Sequence, residues 1–567
     1  MSVPQGSFER MTELRFEGSA VAEAAVALEL SASQAAVAAL DSSAIATVYG
    51  VPGSGKTVAV KALFSKLVET SEPARILALA ANRESANQLR DELALAYQGA
   101  TPGPLARTLT SFAFGVLRLK ALKDGLRLPE LISGSEQDRI LAQVIAEVVE
   151  AGLPEVSASW PAQFNRQVIE LSGFRAELRD FITVCLEHGI NVAELIELGQ
   201  KHQKPEWVAC AVFFEKYLQQ VSAPEYQGRY DASSLLRIAS QWLAAQDSLP
   251  TEIAQIETII VDDAQELTPA AMRLLRVLAG SSRGLVLVGD PDASTLGFRA
   301  ADPRAMANLA DQVAAARGVA TQTQFLTPNF TARPAELSGV LARVSRQIDT
   351  ARAGRQRKSL VADEVSDGSL SVHVFNQATG ELAWLARQLR ELHLFEGYRW
   401  SEIAVVARSR SNLEQLSVAL ANESVPVQIV GAQSALRDEF ASRSLLVLAD
   451  LALNPRVIDP GFAVELLTSV FCGLDTLGIR RFRRSLRREE LLADGLRNSD
   501  ELLVALFESA GSLAAIRGSE ARKAERFLKL MAEAAEIAAD ESKSIEDLLW
   551  QLWAGSGLDK QWQVLSS

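Results

Sequence analysis

Gly50-Val51-Pro52-Gly53-Ser54-Gly55-Lys56-Thr57 decides how this chain is read. The octet fits G-x-x-x-x-G-K-[ST], and its setting gives it meaning. Ile45 to Val48 before it is a short apolar run of strand type, and the chain from Lys56 through LFSKLVE has an amphipathic helical period. Glycines at a strand-to-helix turn let backbone N–H groups curl round phosphate oxygens. The lysine reaches the β and γ phosphates, and the threonine hydroxyl is placed to ligate Mg2+. Gly50, Val51, Pro52, Gly53, Ser54, Gly55, Lys56 and Thr57 are therefore candidate ATP-binding residues.

Outward from the octet, Leu28 to Leu40 reads as a helix, Arg75 to Ala80 as a second strand, and Glu84 to Tyr97 as a second amphipathic helix. Strand alternating with helix implies a parallel sheet. Between about Leu122 and Tyr230 the alternation gives way to a helical insertion, in which Ser135 and Asp138 form an S-x-x-D capping pattern. Two apolar strands then return, Thr258 to Val261 ending in Asp262-Asp263 and Gly284 to Val288 ending in Gly289-Asp290. An aspartate ending a strand opposite a phosphate loop is placed to hold Mg2+, so Thr57 and Asp262 are the candidate metal ligands. Lys56, Asp262 and Asp263 form the candidate catalytic group, with Asp263 orienting the attacking water on a side chain one methylene shorter than glutamate. Farther on, strands at Leu370 to Phe375 and Ile403 to Ala407 flank a helix over Glu381 to Leu392, a second α/β unit. From about Leu451 the pattern is helical again and does not return to strands.

A chain of 567 residues is long enough for several cores. Cys185, Cys210 and Cys472 are too few and too far apart for a disulfide framework or a four-cysteine cluster, which points to a reducing cytoplasm. The four histidines show no metal-ligand spacing, and no run approaches the roughly 18 apolar residues of a membrane helix, so no membrane partner is expected. With 57 basic against 70 acidic residues the net charge is −13, which excludes a generally basic nucleic-acid binder and leaves only local contacts. The densest basic run is Arg480, Arg481, Arg483, Arg484, Arg487 and Arg488, broken by Phe482 and Leu486 at helical spacing. Two readings stay open for it: duplex-phosphate contact, or a solvated helix face pairing locally with Glu489 and Glu490.

These motifs together resemble the superfamily 1 DNA helicases of the UvrD/Rep type. LSASQ at 30–34 resembles the family's glutamine motif, with Gln34 reading adenine. TIIVDDAQE at 258–266 resembles its D-E-x-Q motif and places Gln265 at a coupling position. GDPDASTLGFRAAD at 289–302 is similar to the segment joining ATP to the DNA track, with Arg299 coupling and Phe298 replacing a stacking tryptophan. LTPNFTAR at 326–333 is similar to the L-x-x-N-Y-R-S stretch, which puts Phe330 at the adenine-stacking position. LAAN at 79–82 and TLTSF at 108–112 stand where the family contacts DNA, implying Asn82, Thr108, Ser111 and Phe112; for Phe112, core packing is an equal alternative. EIAVVARSRSNLEQLSVALANESVPVQIVG at 402–431 resembles the continuation of the second motor domain. LISGSEQD, the DDAQ variant and LRREELLADG are similar to AdnA of the actinobacterial helicase-nucleases, whose relatives carry a nuclease domain and work with a second motor subunit.

The resemblance implies two RecA-like parallel-sheet domains with helical insertions. Residues 1–121 and 232–305 form the first motor domain, 122–231 its insertion, 306–450 the first part of the second motor domain, and 451–567 a second insertion. The later helicase motifs have no counterpart before Ser567, so the second domain is expected to be incomplete and the chain a fragment. The implied activity is ATP- and Mg2+-dependent 3'-5' translocation on single-stranded and partly duplex DNA in repair or recombination. Three departures weigh on hydrolysis: Asp263 for the family's glutamate, Ala293 for its γ-phosphate-sensing glutamine, and Thr331 for an arginine, with Arg333 two positions late. An arginine at the γ phosphate is worth about 10³ to 10⁵ in rate. The alternative reading is therefore a catalytically weak nucleotide- and DNA-binding scaffold subunit of a helicase-nuclease complex. A P-loop kinase or transporter ATPase is disfavoured by 258–266 and 289–302 together.

Overall fold

The computed structural model describes residues 29–558 apart from 98, 100, 102, 153–159, 281–282, 350–352, 361–364, 430–439, 509–512, 514–515, 517 and 541. The chain divides into two compact units, residues 1–372 and 373–567. No helix among the described residues is long and apolar enough to cross a membrane.

Among the described residues of the first unit there are eight strands: β1 (Ile45–Tyr49), β2 (Ile76–Ala80), β3 (Ala106–Thr108), β4 (Glu130–Leu131), β5 (Arg229–Tyr230), β6 (Thr258–Val261), β7 (Gly284–Gly289) and β8 (Gln322–Phe325). Six form one parallel sheet in the order β3-β2-β6-β7-β1-β8, and β4 and β5 form a small parallel pair. The two-residue period of a strand explains why both faces of the sheet are apolar. Ile45, Tyr49, Leu77, Leu79, Ile259, Val261, Leu285 and Leu287 face one core, while Ala46, Val48, Ile76, Ala78, Ile260, Val286 and Val288 face another. The register sets Tyr49 beside Gly289 and Val261 beside Leu287, so the chain leaves β1, β6 and β7 at a common edge.

The first helices are α1 (Ala32–Ala38), α2 (Lys56–Leu67), α3 (Arg83–Ala96), α4 (Leu109–Asp124) and α5 (Gly134–Glu150). α1 is shorter than expected because Ser31 caps it: the Ser31 hydroxyl accepts from the Gln34 N–H while the Gln34 side chain accepts from the Ser31 N–H. Residue 28, where that helix was expected to begin, lies outside the described residues. α5 is capped by Ser133 rather than Ser135. Both serines precede an acidic residue by three, but Ser133 has the extended backbone a cap needs and accepts from the Glu136 N–H at 3.2 Å. Asp138 pairs instead with Arg175 at 3.0 Å. From α5 to the helix Pro205–Val221 the described residues are mainly helical around their own core, which includes Ile140, Leu141, Phe213, Phe214 and Tyr217.

The described part of the second unit is helical. Its larger core is shared by helices Phe440–Leu453, Pro460–Thr468, Thr476–Leu492, Ser499–Glu508, Ser519–Ala539 and Ile545–Ser556. The strands expected at Leu370 to Phe375 and Ile403 to Ala407 enter no ladder among the described residues. A strand exists through its neighbours, and here the alternating valines stay exposed, Val374 and Val406 among them. The stretch ending at Gly431 runs past the described residues at 430.

Candidate active site

The phosphate loop follows β1 without a break. Gly53 and Gly55 take φ of +89° and +75°, the left-handed region open to glycine, and a Cβ on Gly53 would collide with the side chains of Thr331 and Asn329. Gly55 is also the N-cap of α2 and offers no side-chain acceptor, so the first-turn N–H groups of that helix are left to a ligand. Lys56 Nζ donates to the Gly50 carbonyl at 3.0 Å and the Val51 carbonyl at 3.4 Å, lying along the loop it is to serve. The buried hydroxyl of Ser54 has no hydrogen-bond partner among the described residues, as expected of a donor shaped for something the chain does not supply.

Below the loop, β6 delivers Asp262. Thr57 Oγ1 donates to Asp262 Oδ2 at 3.2 Å, and the Asp263 N–H donates to Asp262 Oδ1 at 3.0 Å. Burial, reinforced by the neighbouring Asp263 carboxylate, pushes the Asp262 carboxyl up to about 6. A buried oxygen pair that resists ionising alone fits a hard divalent cation, whose charge offsets that penalty. Asp262→Asn should therefore stabilise the unliganded protein by about 1–3 kcal/mol at pH 7. The sign follows from a folded-state pKa above the unfolded one: the carboxylate costs stability above about pH 6, and the cost fades as pH falls towards the unfolded value. Thermal melts of both proteins at pH 7 and pH 4 check this, with the gain present at pH 7 and absent at pH 4.

Asp263 takes the left-handed conformation, φ +52°, and its carboxylate accepts from Gln265 Nε2 at 3.2 Å. Gln265 is buried, and its Oε1 accepts from the Asp290 N–H at 3.0 Å, clamping the end of β6 to the end of β7. A Cβ on Gly289 would strike this amide, so glycine is required there. Two links had escaped the sequence. Glu266 accepts from the backbone N–H groups of Thr295 and Leu296 at 2.7 and 2.9 Å and from the Thr295 hydroxyl at 2.9 Å. Arg357 grips Asp292 through two bonds of 2.7 Å, beside a fully buried Gln356 whose Nε2 reaches Asp290 Oδ1 at 3.5 Å. Burial raises the Asp290 carboxyl, and Lys56 partly opposes the shift.

Gln34 and Phe330 flank the far side of the loop. Gln34 is 2% exposed, and its Nε2 donates to the Gly55 carbonyl at 3.3 Å, so the residue expected to read adenine is also a strut between α1 and the loop. The Phe330 ring is 55% exposed, lies beside Gly55, and is tied in by its own N–H donating to the Gly53 carbonyl at 2.8 Å. An edge-reading amide and an open aromatic face thus meet at one glycine. Thr331 carries no charge, but Arg333 Nη2 donates to the Pro52 carbonyl at 2.7 Å, which brings a guanidinium to the loop from two positions along.

The sequence matches the UvrD/REP helicase N-terminal domain over residues 30–314, half of the chain and nearly all of the parallel sheet with its loop. The chain belongs to the UvrD/REP helicase family. It is 20% identical over 424 residues to a probable DNA helicase II homolog of Mycoplasma capricolum, covering 72% of this chain and 53% of that one. It is 22% identical over 382 residues to the DNA helicase II of Salmonella typhimurium, covering 67% and 48%. With an ATP-dependent helicase/nuclease subunit of Streptococcus pneumoniae it shares 23% identity over 317 residues, 52% and 25% of the two lengths. The chain thus spans about half the length of the DNA helicase II relatives.

Within this UvrD/REP fold the residues expected at DNA separate. Asn82 caps α3 and accepts from the Ser85 N–H at 2.9 Å, and Thr108 caps α4 and accepts from the Ser111 N–H at 3.1 Å. These residues sit where the chain leaves β2 and β3, at the same edge of the sheet as the loop. Phe112 is corrected to a core residue. It is 5% exposed on the inward face of α4 with Ala113, Val116 and Leu117, and a base could stack on it only if the core opened. Phe298 is 57% exposed, with the Arg299 guanidinium 5.3 Å from its ring centroid. The Arg299 guanidinium makes no hydrogen bond to the phosphate loop among the described residues and lies over the Phe298 ring. The observed tie from β6 to the segment before Phe298 runs through Glu266.

Proposed function

We propose that the chain is the motor portion of an ATP-driven DNA translocase, and that Lys56, Thr57, Asp262 and Asp263 are its hydrolytic group. The observation that carries this reading is Thr57 facing Asp262 at 3.2 Å beneath a loop whose Ser54 hydroxyl has no partner among the described residues. Thr57 and Asp262 would hold Mg2+, which would supply positive charge to the phosphate oxygens. The uncapped N–H groups of α2 and Lys56 hold the phosphates in line, and Asp263 accepts a proton of the attacking water and orients it. Gln34 presents its amide to the base edge and Phe330 its ring to the base face. Gln265 relays movement of the loop to β7, and Glu266 relays it to Phe298.

On the DNA side we assign Asn82, Thr108, Ser111 and Phe298 to a single strand crossing the sheet edge, with Phe298 as the stacking platform. Phe298→Ala should weaken single-stranded DNA binding by about 1–3 kcal/mol while leaving nucleotide affinity unchanged, as fluorescence anisotropy and nucleotide titration would report. Movement in the 3'-5' direction, a role in repair or recombination, the five-segment domain division, and partnership with a second motor or nuclease subunit complete the proposal. They rest on the family resemblance and on the AdnA-like segments.

Single-turnover ATP hydrolysis with Mg2+, with and without single-stranded DNA, tests the reading. A motor shows DNA-stimulated turnover. Tight ATP binding with negligible turnover under both conditions supports the second reading, a nucleotide-binding scaffold, which Ala293 and Thr331 favour.

A further inference from the structure

The short helical turn Arg355–Leu360 lies between the end of β7 and the segment that carries Arg333. On the β7 side Arg357 holds Asp292 through two bonds of 2.7 Å, Nε to Oδ2 and Nη2 to Oδ1. The same Nη2 donates to the carbonyls of Ile348 and Asp349 at 3.1 and 3.2 Å, just past the helix Ala335–Ser345. The paired side chains are only 15% and 9% exposed. Beside them, the buried Gln356 accepts from the Gly354 N–H at 2.7 Å through Oε1 while its Nε2 reaches Asp290.

The other side of the turn meets the chain that follows β8. The Ser359 carbonyl accepts from Asn329 Nδ2 at 2.8 Å, the Ser359 hydroxyl donates to the Leu326 carbonyl at 3.3 Å, and the Leu360 carbonyl accepts from Arg333 Nη1 at 3.4 Å. From there residues 326–333 reach the phosphate loop. Asn329 Nδ2 donates to the Pro52 carbonyl at 3.4 Å, the Phe330 N–H to the Gly53 carbonyl at 2.8 Å, and Arg333 Nη2 to the Pro52 carbonyl at 2.7 Å. Two of the three bonds from the turn use its main-chain carbonyls, so the Arg333 segment moves with the turn as a body.

A six-residue 3₁₀ turn has poor internal hydrogen-bond geometry and little stiffness of its own. A bidentate guanidinium–carboxylate pair fixes both distance and orientation, and away from water it is costly to break. We propose that Arg357 is a positioning residue for ATP hydrolysis: by clasping Asp292 it sets the turn against β7 and thereby seats Arg333 at the phosphate loop. The proposal rests on the motor reading above. It places the control of an arginine at the loop in a second arginine 24 positions along the chain, which touches neither the loop nor Arg333 among the described residues.

The test uses the full chain with Arg357→Gln, alone and combined with Arg333→Ala. Arg357→Gln should lower kcat for DNA-stimulated ATP turnover roughly 10- to 100-fold with little change in KM, the cost of a misplaced group. In the Arg333→Ala background the same change should lower kcat less than about threefold, because the group it seats is already gone. Arg357→Lys, which keeps the charge beside Asp292 without the planar fork, should recover part of the rate. Hydrogen exchange in the unliganded chain supplies a readout independent of activity: the Phe330 and Thr331 amides should exchange at least tenfold faster in Arg357→Gln. An ion pair that only stabilises the fold would lower the melting temperature and leave kcat per folded molecule unchanged, and that result overturns the proposal. Losses from Arg357→Gln and Arg333→Ala that simply multiply overturn it as well. If Arg357→Gln fails to fold, Asp292→Asn weakens the same clasp from the other side and is held to the same outcomes. A parent chain without ATP turnover sinks the motor reading, and the exchange rates alone then decide whether the clasp seats the segment.

Discussion

Arg333→Ala is expected to slow DNA-stimulated ATP turnover about 10³-fold, the lower end of what an arginine at a transferring phosphoryl group contributes. Position 331, where the family resemblance places an arginine, holds a threonine, and Arg333 is the arginine whose guanidinium is bonded to the phosphate loop, at 2.7 Å from the Pro52 carbonyl. Its second contact, to the Leu360 carbonyl at 3.4 Å, is long, so little holds it away from a γ phosphate entering the loop. Removing a group that acts on charge developing during transfer lowers kcat far more than it alters KM, and that split is the measurement. Arg333→Lys keeps the charge without the planar fork and should recover only part of the rate. If kcat holds and KM alone rises, Arg333 merely braces the loop.

Lys56→Ala should abolish DNA-stimulated turnover, with a loss of at least about 10²–10³-fold expected from removing one charged donor aimed at the transferred group. Folding should survive. Among the described residues the Nζ bonds only to the Gly50 and Val51 carbonyls, and the apolar packing of α2 comes from Ala59, Val60, Leu63, Phe64 and Leu67. Phosphate release and a thermal melt on the same preparation separate the two effects. Unchanged turnover in a folded variant would remove the assignment of this loop to ATP.

The loop, the carboxylate below it and the parallel sheet were legible because each is written in neighbouring residues. A glycine turn between an apolar strand and an amphipathic helix carries its own geometry, and Asp262 is marked by the apolar run it ends. Phe112 was not legible: an aromatic shortly after a cap reads alike whether its helix turns it to solvent or to the core, and only packing against Val116 and Leu117 decides. Glu266, Gln356 and Arg357 were invisible for another reason. Their partners lie 29, 66 and 65 positions away, and no local period announces such a meeting. The strands expected at 370–375 and 403–407 had the right composition but enter no ladder among the described residues, which residue type cannot foretell. Ser133 and Ser135 both satisfied the same capping pattern, and backbone conformation chose between them.

Glu266 joins the strand that ends in Asp262 to a short segment two residues ahead of an exposed ring. A single carboxylate holding two amide hydrogens is stiff in one direction and yields in others. In the motor proposed above, the gearing between fuel consumed and bases passed would then depend on how taut that tether stays under load. A slack tether would let the engine idle, cycling at its usual speed while the strand slips past.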